Sequence, residues 1–386
     1  MPSWIEEDLE HLRNHDLYRT RRRIQSGQGA EVRFRSADMV NFSSNDYLGY
    51  GSDPRLARAA ARAAQRFGAG AGASALVSGH SPPLRALERG LAAWEGTEAA
   101  LVFASGFLGN LAVVSTLAGR EDALFSDAYN HASLIDGCRL SRATTQVYRH
   151  NDLQHLEELL RQQGPGVRRR FIVSDSVFSM DGDLADLPGL LDLAKRYDAY
   201  LILDEAHATG VLGPQGRGLS DLLPQADRKS DRLIKVGTLS KSLAAQGGFV
   251  VGSSLLIDWL VNRARPYIFA TALAPPLAAA ARLAIRLVGK EPERRNQVLA
   301  LAQRLREGLR SLGFDVGPST THIVPVILGD AERTLAWSRR LERHFLLVPA
   351  IRPPSVPPGT SRLRISLSAA HTEADIDRLL AVFASA

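Results

Sequence analysis

One lysine of this chain stands in a setting that suits chemistry better than solvation. Lys241 is one of five lysines among 386 residues, and it closes a turn, T-L-S-K, that is lined by hydroxyls and small side chains. A lysine amine can lose its proton and form a Schiff base, which an arginine cannot. We therefore predict that Lys241 forms an imine with a carbonyl cofactor.

A carboxylate and a histidine follow another apolar run. Asp204 comes directly after residues 200–203, where a carboxylate is poorly solvated and needs a cationic partner. A protonated pyridine nitrogen is such a partner, and His207 could hydrogen-bond the phenolic oxygen of the same ring. The letters D-E-A-H also match a helicase box, but that function requires a phosphate loop, and residues 235–242 lack both of its glycines.

Groups suited to a phosphate and to a flat ring follow other predicted strands. Gly106 and Phe107 lie at a strand-to-helix turn, where backbone N–H groups favour phosphate, and Thr238 could bind the same group. His131 could stack on an aromatic cofactor. Together with Lys241, these positions converge on one cofactor, pyridoxal 5′-phosphate (PLP).

The segment 175–183, D-S-V-F-S-M-D-G-D, carries three carboxylates. Its spacing does not fit a calcium loop, which needs a glutamate at position twelve. We therefore predict no metal site and take Ser179 as the functional residue of this segment.

An α/β fold must position these residues. Continuous apolar runs predict strands buried on both faces, hence a mostly parallel sheet of seven strands with helices on each side. In such sheets the ligand lies beyond the carboxyl ends of the strands. The predicted strands are 99–104, 123–126, 146–148, 171–174, 200–203, 233–236 and 249–252.

Three segments are expected along the chain. Residues 1–50 hold an amphipathic helix over 4–23 and a small hairpin, residues 51–287 form a large cofactor-binding domain, and residues 288–386 form a smaller α/β domain. The elements predicted in the last segment are helices over 293–312, 332–344 and 372–384 and strands over 323–328, 346–348 and 363–365.

The segment 68–81 consists almost wholly of small residues. This composition is typical of a flexible linker, or of backbone that lies close to a ligand or a neighbouring subunit. Both interpretations remain open from the sequence.

Composition excludes several classes of protein. The net charge of +6 comes from scattered arginines without a recognition motif, so no nucleic-acid partner is expected. The single cysteine, Cys138, excludes an intramolecular disulfide and a cysteine-based zinc site. No apolar run reaches the roughly 18 residues of a membrane span, and the acidic N-terminus does not resemble a signal peptide, so a cytoplasmic protein without membrane partners is expected.

Six motifs give the chain a family resemblance over essentially its whole length. They are N-F-S-S-N-D-Y-L-G at 41–49, S-G-F-x-x-N at 105–110, V-F-S-M-D-G-D at 177–183, D-E-A-H-x-T-G at 204–210, G-x-x-G-R-G at 213–218 and T-L-S-K at 238–241. In this order and spacing they resemble the α-oxoamine synthases. These are PLP-dependent enzymes of the aspartate-aminotransferase fold, which is fold type I.

The resemblance implies a role for each matching residue. The catalytic residues would be Lys241, Asp204, His207 and His131, the last stacking on the cofactor ring and meeting the substrate. The other cofactor contacts would be Gly106, Phe107, Ser179, Thr238 and, reaching the partner subunit's phosphate in a homodimer, Thr271. The other substrate contacts would be Arg21, Arg352 and Ser355. Relatives often have threonine at the position of Ser355.

Residues 350–372 narrow the resemblance within the family. They contain Arg352-Pro353-Pro354 and most resemble the enzymes of biotin synthesis that condense L-alanine with a pimeloyl thioester on an acyl carrier protein or coenzyme A. Relatives that make aminolevulinate or aminoketobutyrate usually lack the Arg-Pro-Pro and are the alternative. A non-catalytic ligand-binding protein on the same fold is the alternative from a different class.

Overall fold

The computed structural model describes residues 3–164 and 166–385, which form two compact units. The large unit comprises residues 53–178 and 184–295. The small unit comprises the residues up to 52, the short segment 179–183 and the residues from 296 onward. Within the described ranges, no helix is long and apolar enough to cross a membrane.

The described helices and strands alternate along most of the chain. The helices are α1 (Ser3–Asn14), α2 (Pro54–Phe67), α3 (Pro82–Glu95), α4 (Gly106–Leu117), α5 (Ala132–Ser141), α6 (Leu153–Arg161), α7 (Leu187–Arg196), α8 (Gln225–Arg228), α9 (Ser254–Arg263), α10 (Arg265–Ile268), α11 (Pro275–Lys290), α12 (Pro292–Ser311), α13 (Ala331–Arg343) and α14 (Glu373–Ala384). The strands are β1 (Glu31–Phe34), β2 (Ala37–Asn41), β3 (Ala99–Phe103), β4 (Ala123–Asp127), β5 (Thr144–Tyr148), β6 (Arg170–Asp175), β7 (Ala199–Asp204), β8 (Leu233–Thr238), β9 (Gly248–Gly252), β10 (Ile323–Gly329), β11 (Leu346–Leu347), β12 (Ala350–Ile351) and β13 (Ser361–Ser366).

The large unit is built on a seven-stranded sheet with the order β3-β9-β8-β7-β6-β4-β5. Strand β9 runs antiparallel to both of its neighbours, and the pairings from β8 through β5 are parallel. Every residue of β4 is buried, as expected of a strand covered by helices on both faces. The predicted seven-stranded, mostly parallel sheet is therefore confirmed.

The small unit contains two three-stranded sheets, β1-β2-β11 and β10-β13-β12. The hairpin β1–β2 turns through Arg35 and Ser36, which both adopt positive φ. Strand β2 then pairs in parallel with β11, Val40 opposite Leu346. This pairing joins the N-terminal segment to the C-terminal residues in one unit, although the sequence analysis treats them as separate segments.

The first helix is shorter than the sequence predicts. Helix α1 ends at Asn14, because the backbone N–H groups of Leu17 and Tyr18 both donate to the carbonyl of Leu12, at 2.8 and 2.9 Å. Asp16 adopts a positive φ of 55° in this closing turn. The prediction of a helix over 4–23 is thus wrong in its second half, and Arg21 lies in an irregular segment.

Candidate active site

The carboxyl ends of the parallel strands bring the predicted cofactor residues of the large unit together. Asp175 ends β6 and Asp204 ends β7, and the two lie opposite each other in register. Thr238 ends the next strand, β8, and the turn that follows it carries Lys241. His207 is buried three residues beyond Asp204.

Asp204 is a buried carboxylate held between two donors. Asp204 is only 4% exposed, and the Asn110 amide donates to its Oδ2 at 2.5 Å. The backbone N–H of Ala206 donates to its Oδ1 at 2.7 Å. Hydrogen bonds fix the position of a buried anion, but a nearby cation is still needed to offset the cost of burying its charge. The chemistry of this donor set therefore fits a protonated pyridine nitrogen.

Asp175 stands beside Asp204 but accepts its hydrogen bond from a different donor. Burial raises the pKa of the Asp175 carboxyl well above its usual range, and the neighbouring Asp204 raises it further. The backbone N–H of His131 donates to Asp175 Oδ2 at 2.7 Å, which opposes this effect. A neighbouring carboxylate and burial both disfavour the charged form, so the environment of Asp175 favours its protonated form.

His131 caps the start of α5, and its ring lies edge-on to that of Phe107, with centroids 6.2 Å apart. Partial desolvation lowers the pKa of the imidazole; Asp204 opposes this, and Lys241 lowers the pKa further. Lys241 also lowers the pKa of Asp175. The lysine amine thus lies within electrostatic reach of both residues.

A space lined by the backbone of Gly106 and Gly248, here called the cradle, lies between α4 and β8. A Cβ added at Gly106 would lie 3.1 Å from Thr238 Oγ1, and one added at Gly248 would lie 2.5 Å from the Cα of Gly106. Ser105 caps the helix by accepting from the N–H of Leu108. The N-terminus of α4, with Gly106 and Phe107 in its first turn, and the Thr238 hydroxyl therefore form a place that suits a phosphate.

Thr271 lies in a surface segment that packs on the small-residue segment. The N–H of Ala272 donates to the carbonyl of Ala73 at 3.0 Å, and residues 75–79 form a π-helical turn. This ordered turn argues against the linker interpretation. In this single chain Thr271 is exposed, and so are Val77 (79%) and Phe269 (70%). Apolar side chains with this exposure are typical of a contact surface.

The other predicted residues belong to the small unit. The Arg352 guanidinium donates to the carbonyl of Asp16, and Arg19, which the sequence analysis does not single out, donates to Ser355 Oγ at 3.4 Å. Partial burial and the nearby Arg19 lower the pKa of Arg352. Arg352 and Ser355 thus share a cationic neighbourhood suited to an anion, while Arg21 is exposed.

Ser179 is also in the small unit, and its carbonyl accepts from Arg364 Nε. The Arg362 guanidinium bonds the carboxylate of Asp181 in the same segment. Across the two described ranges of the chain, no group of three His, Cys, Asp or Glu side chains is arranged to hold a metal ion.

Sequence reasoning missed the supporting roles of Asn110, Ser133 and Asp175. Asn110 is the last residue of the motif S-G-F-x-x-N, and Asp175 ends a strand as Asp204 does. Both positions could therefore have been identified from the sequence. Ser133 gave no such indication, because its partner Asn110, which donates to Ser133 Oγ at 2.9 Å, lies on another helix.

Three comparisons with known proteins show what the chain is similar to. Residues 37–383 match the family model of aminotransferase class I and II. The chain is 50% identical over 382 residues to an 8-amino-7-oxononanoate synthase from Anaeromyxobacter dehalogenans (strain 2CP-1), covering 99% of this chain and 95% of the relative.

Two solved structures are similar over most of the chain. A serine palmitoyltransferase from S. paucimobilis with a bound PLP–myriocin aldimine has a TM-score of 0.92 and 32% identity, covering 99% of this chain and 96% of that one. An 8-amino-7-oxononanoate synthase from Francisella tularensis has a TM-score of 0.77 and 27% identity, covering 90% and 97%.

Proposed function

The chain belongs to the aminotransferase class I and II family and, within it, to the α-oxoamine synthases, and on this premise we propose that it condenses L-alanine with a pimeloyl thioester. It is a PLP-dependent acyltransferase. The products of the proposed reaction are 8-amino-7-oxononanoate, CO₂ and the free thiol of an acyl carrier protein or coenzyme A. This reaction would serve biotin synthesis.

One observation carries the proposal: a buried carboxylate, Asp204, is fixed at the carboxyl edge of the sheet, where the amine of Lys241 is within electrostatic reach of the same cluster. When bound, PLP supplies a carbonyl group for Lys241 and a protonated ring that stabilises negative charge at the amino-acid α-carbon. Asp204 would keep anionic charge beside the ring nitrogen and so favour its protonated form. Lys241 accepts the proton from alanine Cα and returns a proton at the end of the cycle.

The remaining site residues would bind and orient the cofactor and the substrates. Gly106, Phe107 and Thr238 would hold the phosphate, and His207 and Ser179 would hold the phenolic oxygen. His131 would stack on the ring and meet the substrate. The guanidinium of Arg352 would bind the alanine carboxylate through two parallel hydrogen bonds. Ser355 would contact substrate, and Arg21 would lie near the acyl donor.

The exposed apolar residues near Thr271 support a homodimer in which each site uses both chains. Thr271 would reach the phosphate bound by the partner subunit. Mixing inactive Lys241→Ala with inactive Thr271→Trp should restore part of the activity in hybrid dimers, because one of the two sites then has both native residues. An active monomer in sedimentation at assay concentration would refute this assembly.

A substrate panel tests the proposed reaction. Alanine, glycine and serine are each combined with pimeloyl, succinyl and acetyl thioesters, and product is measured by mass spectrometry. Alanine with pimeloyl thioester should be best, with glycine behind it by a modest factor, since one methyl is worth about 1–3 kcal/mol in a pocket. A clear preference for glycine with a short acyl group would instead favour aminolevulinate or aminoketobutyrate formation, and no turnover with any pair would favour a binding protein.

A further inference from the structure

A chain of hydrogen bonds joins Asp204 to the ring of His131. The Asn110 amide nitrogen donates to Asp204 Oδ2 at 2.5 Å and to Ser133 Oγ at 2.9 Å. Ser133 Oγ lies 2.7 Å from His131 Nδ1, and the backbone N–H of Ser133 donates to the same nitrogen at 3.2 Å. Asp204, Asn110 and Ser133 are buried, so water does not compete for the bonds among them, whereas His131, at the end of this chain of hydrogen bonds, is exposed.

The positions of the protons follow from what each group can donate. An ionised carboxylate only accepts, so Asn110 must present its NH₂ group to Asp204, and the second hydrogen of that group goes to Ser133. Because Ser133 Oγ accepts from Asn110, its own O–H hydrogen is available for His131 Nδ1. Nδ1 then receives two donors and carries no proton, and the ring proton is on Nε2.

We propose that Asn110 and Ser133 are positioning residues that hold His131 as a neutral imidazole protonated at Nε2, so that it serves the site as a hydrogen-bond donor. Protonation at Nδ1 would force the Ser133 hydroxyl to turn away and would set two N–H groups against each other. The same Asn110 amide orients Asp204, so one relay sets both the anion and the histidine.

The charged groups around His131 agree with this assignment. Asp204 and Asp136 favour the imidazolium, whereas Lys241 and the partial desolvation of the ring disfavour it, and the net effect is a lowered pKa. The assignment of the proton rests on the hydrogen bonds alone. Its use rests on the proposed function: Nε2–H would donate to a carboxylate or carbonyl oxygen of the substrate.

Histidine ¹³C chemical shifts in the holoenzyme test the assignment, because Cδ2 and Cε1 report tautomer and charge. The chain has ten histidines, and the signal absent from His131→Asn identifies this ring. Wild-type His131 should show the Nε2–H tautomer and remain neutral at pH 7. Ser133→Ala removes one donor to Nδ1, so the titration should move to higher pH and the Nδ1–H tautomer should appear, whereas Ser133→Thr keeps the hydroxyl and should restore the wild-type pattern.

Asn110→Ala provides a second variant should Ser133→Thr fold poorly, since it frees the Ser133 hydroxyl and should also yield a tautomer mixture. A charged or Nδ1-protonated His131 in the wild type at pH 7, or unchanged spectra in both Ser133→Ala and Asn110→Ala, would overturn the inference. Failure of the proposed function looks different: the spectra follow the expectation, but the wild type does not exchange the alanine α-proton.

Discussion

Asp175 and Asp204 lie side by side at the carboxyl ends of β6 and β7, paired in register and both buried. Their environments are not equivalent. Asp204 accepts from Asn110 and Ala206, whereas Asp175 accepts from the backbone of His131 and has a pKa well above the usual range for a carboxyl. The environment of Asp175 therefore favours its protonated form, and Asp204, which accepts two hydrogen bonds, is the proposed anion of the site.

This difference predicts unequal effects of the same substitution. Asp204→Asn removes the anion that keeps the cofactor ring protonated, so exchange of the alanine α-proton in D₂O should fall about 10²-fold or more, the size expected for loss of a preorganised charge. At Asp175 the environment already favours the protonated form, so Asp175→Asn should retain exchange within a few-fold. Near wild-type exchange in Asp204→Asn would show that its assigned role is wrong.

The raised pKa of Asp175 also predicts how stability depends on pH. The folded protein keeps this proton above pH 4, where an unfolded aspartate has already lost it, so the group makes folding less favourable as pH rises from about 4 through its folded pKa. In thermal unfolding of cofactor-free protein, Asp175→Asn should lose less stability than wild type between pH 5 and pH 8. Asp231→Asn, at an exposed carboxylate, is the matched control and should follow the wild type. An equal slope in all three proteins would contradict the assigned protonation.

The cradle between α4 and β8 predicts a selective loss of cofactor affinity. Gly248→Ala would push the new methyl into the backbone of Gly106, and overpacking of this kind costs about 1–3 kcal/mol. The PLP dissociation constant should therefore rise roughly 10- to 100-fold. Gly252→Ala lies at the other end of β9, where the methyl meets the flexible end of Leu256, and should bind PLP normally. Equal PLP affinity in the two variants would show that the phosphate does not bind in this cradle.

Arg352 and Arg21 are predicted to act on different substrates. Arg352→Lys keeps the charge but loses the planar fork, so KM for alanine should rise markedly. Arg21→Ala should impair use of the pimeloyl thioester, whose far carboxylate a cation could meet, and should leave alanine-dependent proton exchange intact. Parallel loss of both activities in Arg21→Ala would assign that arginine to folding.

The sequence predicts the central sheet because buried parallel strands leave continuous apolar runs, and the strand-end rule then selects Asp204 and Thr238. It does not reveal the link from Asn110 to Ser133, because these residues lie on two different helices, α4 and α5, which meet only in three dimensions. The prediction of the first helix is too long for a related reason. Apolar periodicity continues past Asn14, and no sequence pattern indicates the hydrogen bonds to Leu12 that end the helix.

The measurement that tests the central claim most directly is the site of covalent cofactor attachment. The purified holoenzyme is reduced with borohydride, digested, and mapped by mass spectrometry for the pyridoxyl group, with Lys241→Ala as the control. The account predicts the modification on Lys241 alone among the five lysines of the chain and none in the variant. A pyridoxyl group on another lysine in the wild type, or undiminished attachment in Lys241→Ala, would contradict it.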